Sequence, residues 1–421
     1  MSTRISKASR ERVRAEDAAL RARAAKVIPG GMYGHLNVGG LPPAYAQFYE
    51  RAEGARVWDV DGNEYVDLMC AFGPNILGYG HAGVEQAAGA QRVQGDTQAG
   101  PTPVMVELAE LMVDRLSHAD WAIFSKNGND ATGLALAIAR AATGRSAVLM
   151  AANAYHGSAG WCNPNPSGFP RVERDLVFRY RYNDLASVEA AMREAGEEEV
   201  AAVFVSPFRH DAGFDQELAT REFAQGLREV CNKSGSALVM DEVRAGFRMT
   251  HGDSWEQFGV APDLSAWGKA IGNGYPISAT LGRAGFTAAA SSIYATGSFW
   301  FQAVPMAAAV ATIHALREDD AVGAMERAGE RLRRGLEAQA NNCGIEIVQT
   351  GPVQMPFLTF AADEKFERAW VFCAAAAEHG AIMHPWHNWF LSAAHSDDDI
   401  DKALAAMDAG FEAVVQQFGR D

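Results

Sequence analysis

The chain has no apolar run near the roughly 18 residues that a membrane-crossing helix requires, and no apolar signal core near its start. A membrane span and secretion are therefore not expected, and a cytoplasmic location is. Cysteine is scarce: Cys70, Cys162, Cys231, Cys343 and Cys373 are scattered, odd in number and without a CxxC spacing. That argues against a disulfide framework or a cysteine metal knuckle and for reduced thiols. Positive charge is also short, with 37 Lys and Arg against 52 Asp and Glu for a net charge of -15, which disfavours nucleic-acid or anionic-membrane partners. His384, His387 and His395 have Pro385 among them and no acid before Asp397, so no metal is expected. Internal repeats and low-complexity linkers are missing.

What is present is a large reserve of core. Apolar residues make up 48% of 421 residues, and 41 glycines supply tight turns, enough for two packed domains. The basic, helix-prone start carries Arg10, Arg12, Arg14, Arg21, Arg23 and Lys26 beside Glu11, Glu16 and Asp17, and reads as a helix lying on a dimer. Residues 1–70 are expected to add a hairpin around Asp61-Gly62. From 71 to 300, apolar runs such as Val200 to Val205 alternate with helical stretches, which predicts an α/β domain with a mostly parallel central sheet and helices on both faces. Residues 301–421 should form a smaller α+β domain, with helices around 345–348 and 355–360. Glu197-Glu198-Glu199 and Asp397-Asp398-Asp399 should begin or end helices, and Ser396 looks like an N-cap.

Lys269 stands alone among glycines, a Trp and a Tyr in Trp267-Gly268-Lys269-Ala270-Ile271-Gly272-Asn273-Gly274-Tyr275-Pro276. Apolar surroundings lower an amine's pKa and make it a nucleophile toward aldehydes. Asp241 ends the apolar run Ala237 to Met240, where parallel sheets collect functional groups; the competing reading is a helix cap. The stretch Trp121 to Asp130 reads as strand, turn and helix start, so Gly128 and Asn129 suit an anion, although Asn-Gly-Asn is also ordinary turn chemistry. Tyr155, with His156 beside it, follows another strand and suits stacking on a planar ring; a packed loop tyrosine is the alternative. Phosphate turn, stacking aromatic, strand-end carboxylate and apolar-flanked lysine are together the contacts that pyridoxal 5′-phosphate requires.

In order and local sequence the chain resembles the class III, fold type I pyridoxal-phosphate aminotransferases of the glutamate-1-semialdehyde aminomutase-like subgroup. The resemblance runs from Pro29-Gly30-Gly31 through Trp58-Asp59-Val60-Asp61-Gly62-Asn63, Gly73-Pro74-Asn75, Asp241-Glu242-Val243 and Gly246-Phe247-Arg248 to Gly268-Lys269 and Gly272-Asn273-Gly274-Tyr275-Pro276. It implies that Lys269 joins the cofactor aldehyde and later shuttles a proton, and that Asp241 pairs with the pyridinium nitrogen. It also implies that Val243 and Tyr155 cover the two ring faces, with His156 among the cofactor contacts. Gly128 and Asn129 stand where the family has Gly-Thr, so the amide replaces a hydroxyl. A partner subunit is implied to lend a phosphate contact, Ser298 or else Thr296, which makes a homodimer with shared sites.

No Arg lies between Arg368 and Arg420, so a carboxylate clamp of the kind many relatives have is missing there. Arg209 is the candidate for an acceptor carboxylate such as pyruvate's, against a surface pairing with Asp211 or Asp215. Tyr33, His35, Phe72, Trp300 and Trp386 would make a broad apolar wall for an amine donor. This pattern is most similar to bacterial fumonisin-type amine:pyruvate aminotransferases, and implies ping-pong transfer from a hydrophobic or long-chain amine to a 2-oxo acid. The rivals are an intramolecular 2,1-aminomutase, a β-amino acid aminotransferase and a cofactor-free binding scaffold.

Overall fold

A computed structural model describes residues 12–421; Arg10 and Glu11 of the basic start lie outside the described residues. The chain divides into two compact units, residues 1–70 with 325–421, and residues 71–324.

The second unit is built on a seven-stranded sheet. Its strands are β1 (Trp121–Ser125), β2 (Ala147–Ala151), β3 (Val177–Tyr180), β4 (Val200–Val205), β5 (Ala237–Asp241), β6 (Leu264–Trp267) and β7 (Ser278–Gly282), in the order β1-β7-β6-β5-β4-β2-β3. The pairings are parallel except those of β7, which runs antiparallel to both β6 and β1. Both faces of the strands are buried, so the runs are continuously apolar rather than alternating. The pleat still sorts them. Leu149, Val203, Val205, Leu238 and Met240 pack on one side with Phe223, Leu227 and Trp255, while Val148, Met150, Phe204 and Val239 pack on the other with Ile138 and Trp161.

Helix Ala303–Glu318 belongs to this unit, whereas the sequence placed the smaller domain from residue 301. Its alanine-rich surface, with Val304, Met306, Ile313 and Leu316 buried, packs on helices Ala82–Gln94 and Pro103–Arg115. A helix apolar on nearly every side gives no amphipathic cue to the domain it joins.

The other unit holds strands Tyr49–Glu53, Arg56–Asp59 and Glu64–Asp67 in antiparallel order, with Ala381–Ile382 added in parallel. The expected hairpin around Asp61-Gly62 is there. Asp61 also caps the entry helix Ala15–Ala24, accepting from Glu16 N at 2.8 Å and Asp17 N at 3.0 Å. Buried Asp17 pairs with Arg21 and takes the amides of Gln47 and Phe48, tying the helix to the chain that follows. The helices expected around 345–348 and 355–360 are instead an antiparallel strand pair, Ile347–Thr350 with Phe357–Phe360. Both runs are too short for periodicity to decide, and the Gly351-Pro352 break between them fits a strand turn. Ser396 does cap helix Asp397–Phe418, accepting from Asp399 N at 3.2 Å. Among the described residues no helix is long and apolar enough to cross a membrane.

Candidate active site

Asp241 and Lys269 reach the same edge of the sheet by different routes. Asp241 is the last residue of β5, in register with Ala266 of β6, and Lys269 follows the end of β6 across Gly268. Neighbouring parallel strands thus deliver a carboxylate and an amine beyond their carboxyl ends, where open α/β sheets bind ligands.

The carboxylate is buried and held on both oxygens. His156 Nδ1 donates to Oδ2 at 2.7 Å, and Val243 N donates to Oδ1 at 3.0 Å. The imidazole is itself fixed, stacked 6.4 Å from Trp161 and tilted on Phe204 at 5.5 Å, while Thr132 Oγ1 donates to the His156 carbonyl at 2.7 Å. His156 Nε2 is buried with no protein partner. A buried carboxylate with no Lys or Arg bonded to it suits a ligand that brings a positively charged N–H.

Lys269 adopts a left-handed backbone, φ +45°, which costs a non-glycine residue about 1 kcal/mol and has to be imposed by its surroundings. Its Nζ donates to the Phe72 carbonyl at 2.8 Å. Burial pushes the ammonium down to about 7, helped by the Arg244 and Arg248 cations and opposed by Asp241. Two ties fix the loop that carries the Phe72 carbonyl. Asn273 accepts from Leu77 N at 2.8 Å and donates to Gly78 O at 2.9 Å, and the fully buried Arg248 donates to Gly73 O.

At the start of helix Gly128–Thr143 a Cβ on Gly128 would lie 2.6 Å from Val243 Cγ1, and one on Gly268 would lie 3.7 Å from the Gly128 Cα. Three segments converge there, and Gly128 has no room for another carbon. Asp130 caps the turn, accepting from Asn127 N at 2.9 Å. Asn129 Oδ1 accepts from Ser158 N and Ala159 N, each at 2.9 Å, and a Cβ on Gly157, at φ +127°, would lie 2.6 Å from that oxygen. The Asn129 side-chain oxygen therefore binds the loop carrying Tyr155 and His156 to the helix start, while its backbone N–H lies in the first turn, where free amides suit an anion. Tyr155 is half exposed, within electrostatic reach of Arg244 and Asp241.

The remaining candidates make other contacts. Arg209 pairs with Glu217 at 3.1 Å and donates to Asp215 O at 2.8 Å, which ties the two-residue strands Phe208–Arg209 and Glu217–Leu218 together. Thr296 and Ser298 are exposed, in a segment with exposed Tyr294 and Phe299, and neither bonds to Lys269, Asp241 or Gly128. Trp300 packs over Gly297. In the other unit, Tyr33 and His35 are exposed, and Trp386 stacks on Trp370 at 6.1 Å and meets His384 edge-on at 4.6 Å. Among the described residues no group of three His, Cys, Asp or Glu is placed to hold a metal.

Sequence reasoning assigned no role to several charged groups at the site. Glu242 is buried beside Asp241, takes Ser254 N at 3.0 Å and Ser254 Oγ at 2.7 Å, and has its carboxyl pushed up to about 8 by burial. Its neighbour network runs from Asp253 to His118 Nδ1 at 2.8 Å, from His118 Nε2 to Ser265 Oγ at 2.8 Å, and from Trp267 Nε1 to the same Oγ at 2.8 Å. The chain two residues before Lys269 is aligned by this relay. Arg244 and Arg248 complete the set. The available signal was four charges within eight residues, Asp241-Glu242-Val243-Arg244-Ala245-Gly246-Phe247-Arg248, directly after a buried strand.

This fold and site define a fold type I enzyme that uses pyridoxal phosphate. A family model of the class-III aminotransferases matches residues 41–409, and the chain belongs to that family. It is similar to the aminopentol aminotransferase of Sphingopyxis macrogoltabida, 50% identical over 399 residues, which are 95% of this chain and 94% of that one. It superposes on the solved structure of FumI from Sphingopyxis sp. MTA144 in its PLP internal aldimine form with a TM-score of 0.94 at 49% identity, covering 96% of this chain and 97% of that one. A glutamate-1-semialdehyde 2,1-aminomutase of Chloroflexus aurantiacus is 34% identical in an alignment that covers 94% of this chain and 96% of that one. The enzyme is a pyridoxal-phosphate-dependent aminotransferase, and its buried Asp241, glycine-lined turn and neutralisable Lys269 amine fit that cofactor.

Proposed function

We propose that this aminotransferase takes the amino group of a hydrophobic or long-chain primary amine and passes it to a 2-oxo acid such as pyruvate. The products are a ketone or aldehyde and alanine: one nitrogen passes from donor to acceptor by way of the enzyme, water supplies the carbonyl oxygen of the first product, and the oxygen of the acceptor leaves as water. The observation that carries the chemistry is Lys269, whose buried amine lies at the same sheet edge as Asp241. The substrate class rests on likeness to an aminopentol aminotransferase.

Bound pyridoxal phosphate supplies the electron sink for the carbon that loses its proton. Lys269 Nζ would be the residue that holds the cofactor covalently, and its free amine would be the base that moves the proton of the amine-bearing carbon. Asp241, oriented by His156, keeps the pyridine nitrogen protonated. The Gly128 and Asn129 amides would hold the phosphate, and Tyr155 and Val243 would be the residues to cover the ring. A second copy of the chain lends Ser298 or Thr296, so the working form is a homodimer. Phe72, whose carbonyl holds the Lys269 amine, meets the apolar part of the donor. Five free cysteines suit a reducing, cytoplasmic setting.

The test is a panel of amines incubated with pyruvate, with alanine and carbonyl product both quantified. Equal amounts of the two support the reading. Turnover of an amino-aldehyde with no acceptor present would favour the aminomutase reading instead, for which the 34% identity to an aminomutase speaks.

A further inference from the structure

Trp267, fully buried and two residues before Lys269, stands at the end of a line of polar side chains. Its Nε1 donates to Ser265 Oγ at 2.8 Å, and His118 Nε2 lies 2.8 Å from the same oxygen. Asp253 Oδ1 stands 2.8 Å from His118 Nδ1, and Ser117 Oγ donates to the other oxygen of Asp253 at 3.2 Å. The carboxylate places a proton on Nδ1, so in the neutral ring Nε2 accepts from the Ser265 hydroxyl, whose oxygen accepts in turn from the indole. Ser265, His118 and Asp253 follow the order of a nucleophilic triad. All three are buried, however, and Trp267 occupies the hydroxyl oxygen, so no substrate carbonyl reaches it. What the line fixes is the indole ring.

The ring in turn fills the space beside a neighbouring turn. A Cβ on Gly246 would lie 2.5 Å from Trp267 Cζ3 and 2.6 Å from Cε3, and Phe247, at φ +62°, tilts onto the indole at 4.8 Å. A left-handed phenylalanine is costly and has to be imposed by what it packs on. The next residue, Arg248, is fully buried and donates to Gly73 O, and the adjoining Phe72 carbonyl accepts from Lys269 Nζ at 2.8 Å. Along the backbone Trp267 leads to Lys269 in two residues; through the turn it leads back to the amine at the tip of that side chain. Phe72 and Lys269 are themselves left-handed, at φ +63° and +45°, so their alignment is one the local chain does not favour.

Resting on the role proposed above for Lys269, we infer that His118 is a positioning residue for that lysine: with Ser265 it locks the Trp267 indole, and the locked indole holds the turn carrying Arg248, and with it the Phe72 carbonyl, against the lysine amine. The His118 side chain is fully buried and acts only through this path, with Asp253 as its charged neighbour. The charges acting on the amine are the Arg244 and Arg248 cations and the Asp241 carboxylate, and burial together with the cations brings it down to about 7. Loosening the turn relieves the burial and draws Arg248 off. Both effects raise the amine toward its ordinary value, against the loss of one hydrogen bond.

The experiment mixes the stripped protein with pyridoxal phosphate across a pH series and reads the rate of attachment by absorbance; borohydride reduction and peptide mapping then locate the adduct. For His118→Phe and for Ser265→Ala the pH of half-maximal rate should rise by about 0.5 or more, a part of what a charge at close range imposes. The double variant should rise no further, since both changes break one path. His118→Gln, whose amide can accept from Ser265, should keep the wild-type midpoint. Leu227→Ala, which opens a cavity in the core around Leu149 and Trp255, should lower the melting temperature and leave the midpoint in place. Unmoved midpoints in the folded single variants, or an equal rise in Leu227→Ala, would overturn the inference and leave Lys269 in its role. An adduct on another lysine of the wild type would overturn that role and the inference together.

Discussion

His156 Nδ1 lies 2.7 Å from Asp241 Oδ2, and both side chains are almost fully buried. The imidazole acts as a fixed donor that aims the carboxylate, itself braced by Trp161 and Phe204. His156→Phe keeps the packing and removes the donor, so the cofactor should bind about tenfold or more weakly, the effect of losing a hydrogen bond to a buried charge. Equilibrium dialysis of pyridoxal phosphate against the two proteins measures this; equal affinities would show that Asp241 needs no brace.

Lys269 sets a pH dependence that a surface lysine would not show. Only the neutral amine attacks an aldehyde, and its pKa is lowered from 10.5 to about 7. Attachment of pyridoxal phosphate to the stripped protein should therefore speed up through about pH 7 and level off above it, read by absorbance. A rate still climbing near pH 10 would mean the amine has an ordinary pKa. Lys269→Ala should fold, as judged by circular dichroism, and transfer no amino groups.

Gly128→Ala places a methyl group 2.6 Å from Val243 Cγ1. Overpacking of this kind costs about 1–3 kcal/mol. Thermal unfolding should show the loss, and adding Val243→Ala should restore part of it. A double variant no more stable than Gly128→Ala alone would show that the methyl clashes elsewhere.

Glu242 carries a stability signature. Its carboxyl moves from 4.5 to about 8 on folding, so the folded state binds a proton more tightly than the unfolded one. The resulting stability is fully present below pH 4.5 and is lost as pH rises through about 8. Glu242→Gln, which cannot ionise, should flatten this part of the curve of melting temperature against pH; an unchanged slope would place the proton elsewhere.

The site's skeleton was legible because each of its parts follows a buried strand. Asp241 ends β5, and Lys269, Tyr155 and Gly128 stand a few residues beyond β6, β2 and β1. Arg209 was drawn toward the substrate because nothing local shows that Glu217, eight residues on, returns to it across a pair of two-residue strands. Arg244 and Glu242 went unassigned for the opposite reason: charges after a strand look like capping until burial is known. The pair Ile347–Thr350 and Phe357–Phe360 was misread because a run of four residues fits either period.

Asn129 has a mechanical consequence. Because its side chain holds Ser158 and Ala159 while its own residue starts a helix, the turn suited to the phosphate and the segment bearing Tyr155 and His156 share one anchor. Neither can drift without loosening the other. A ligand gripped at one end by the turn and across its face by the aromatic meets a single jaw, so weakening that amide should quicken cofactor escape at both contacts together.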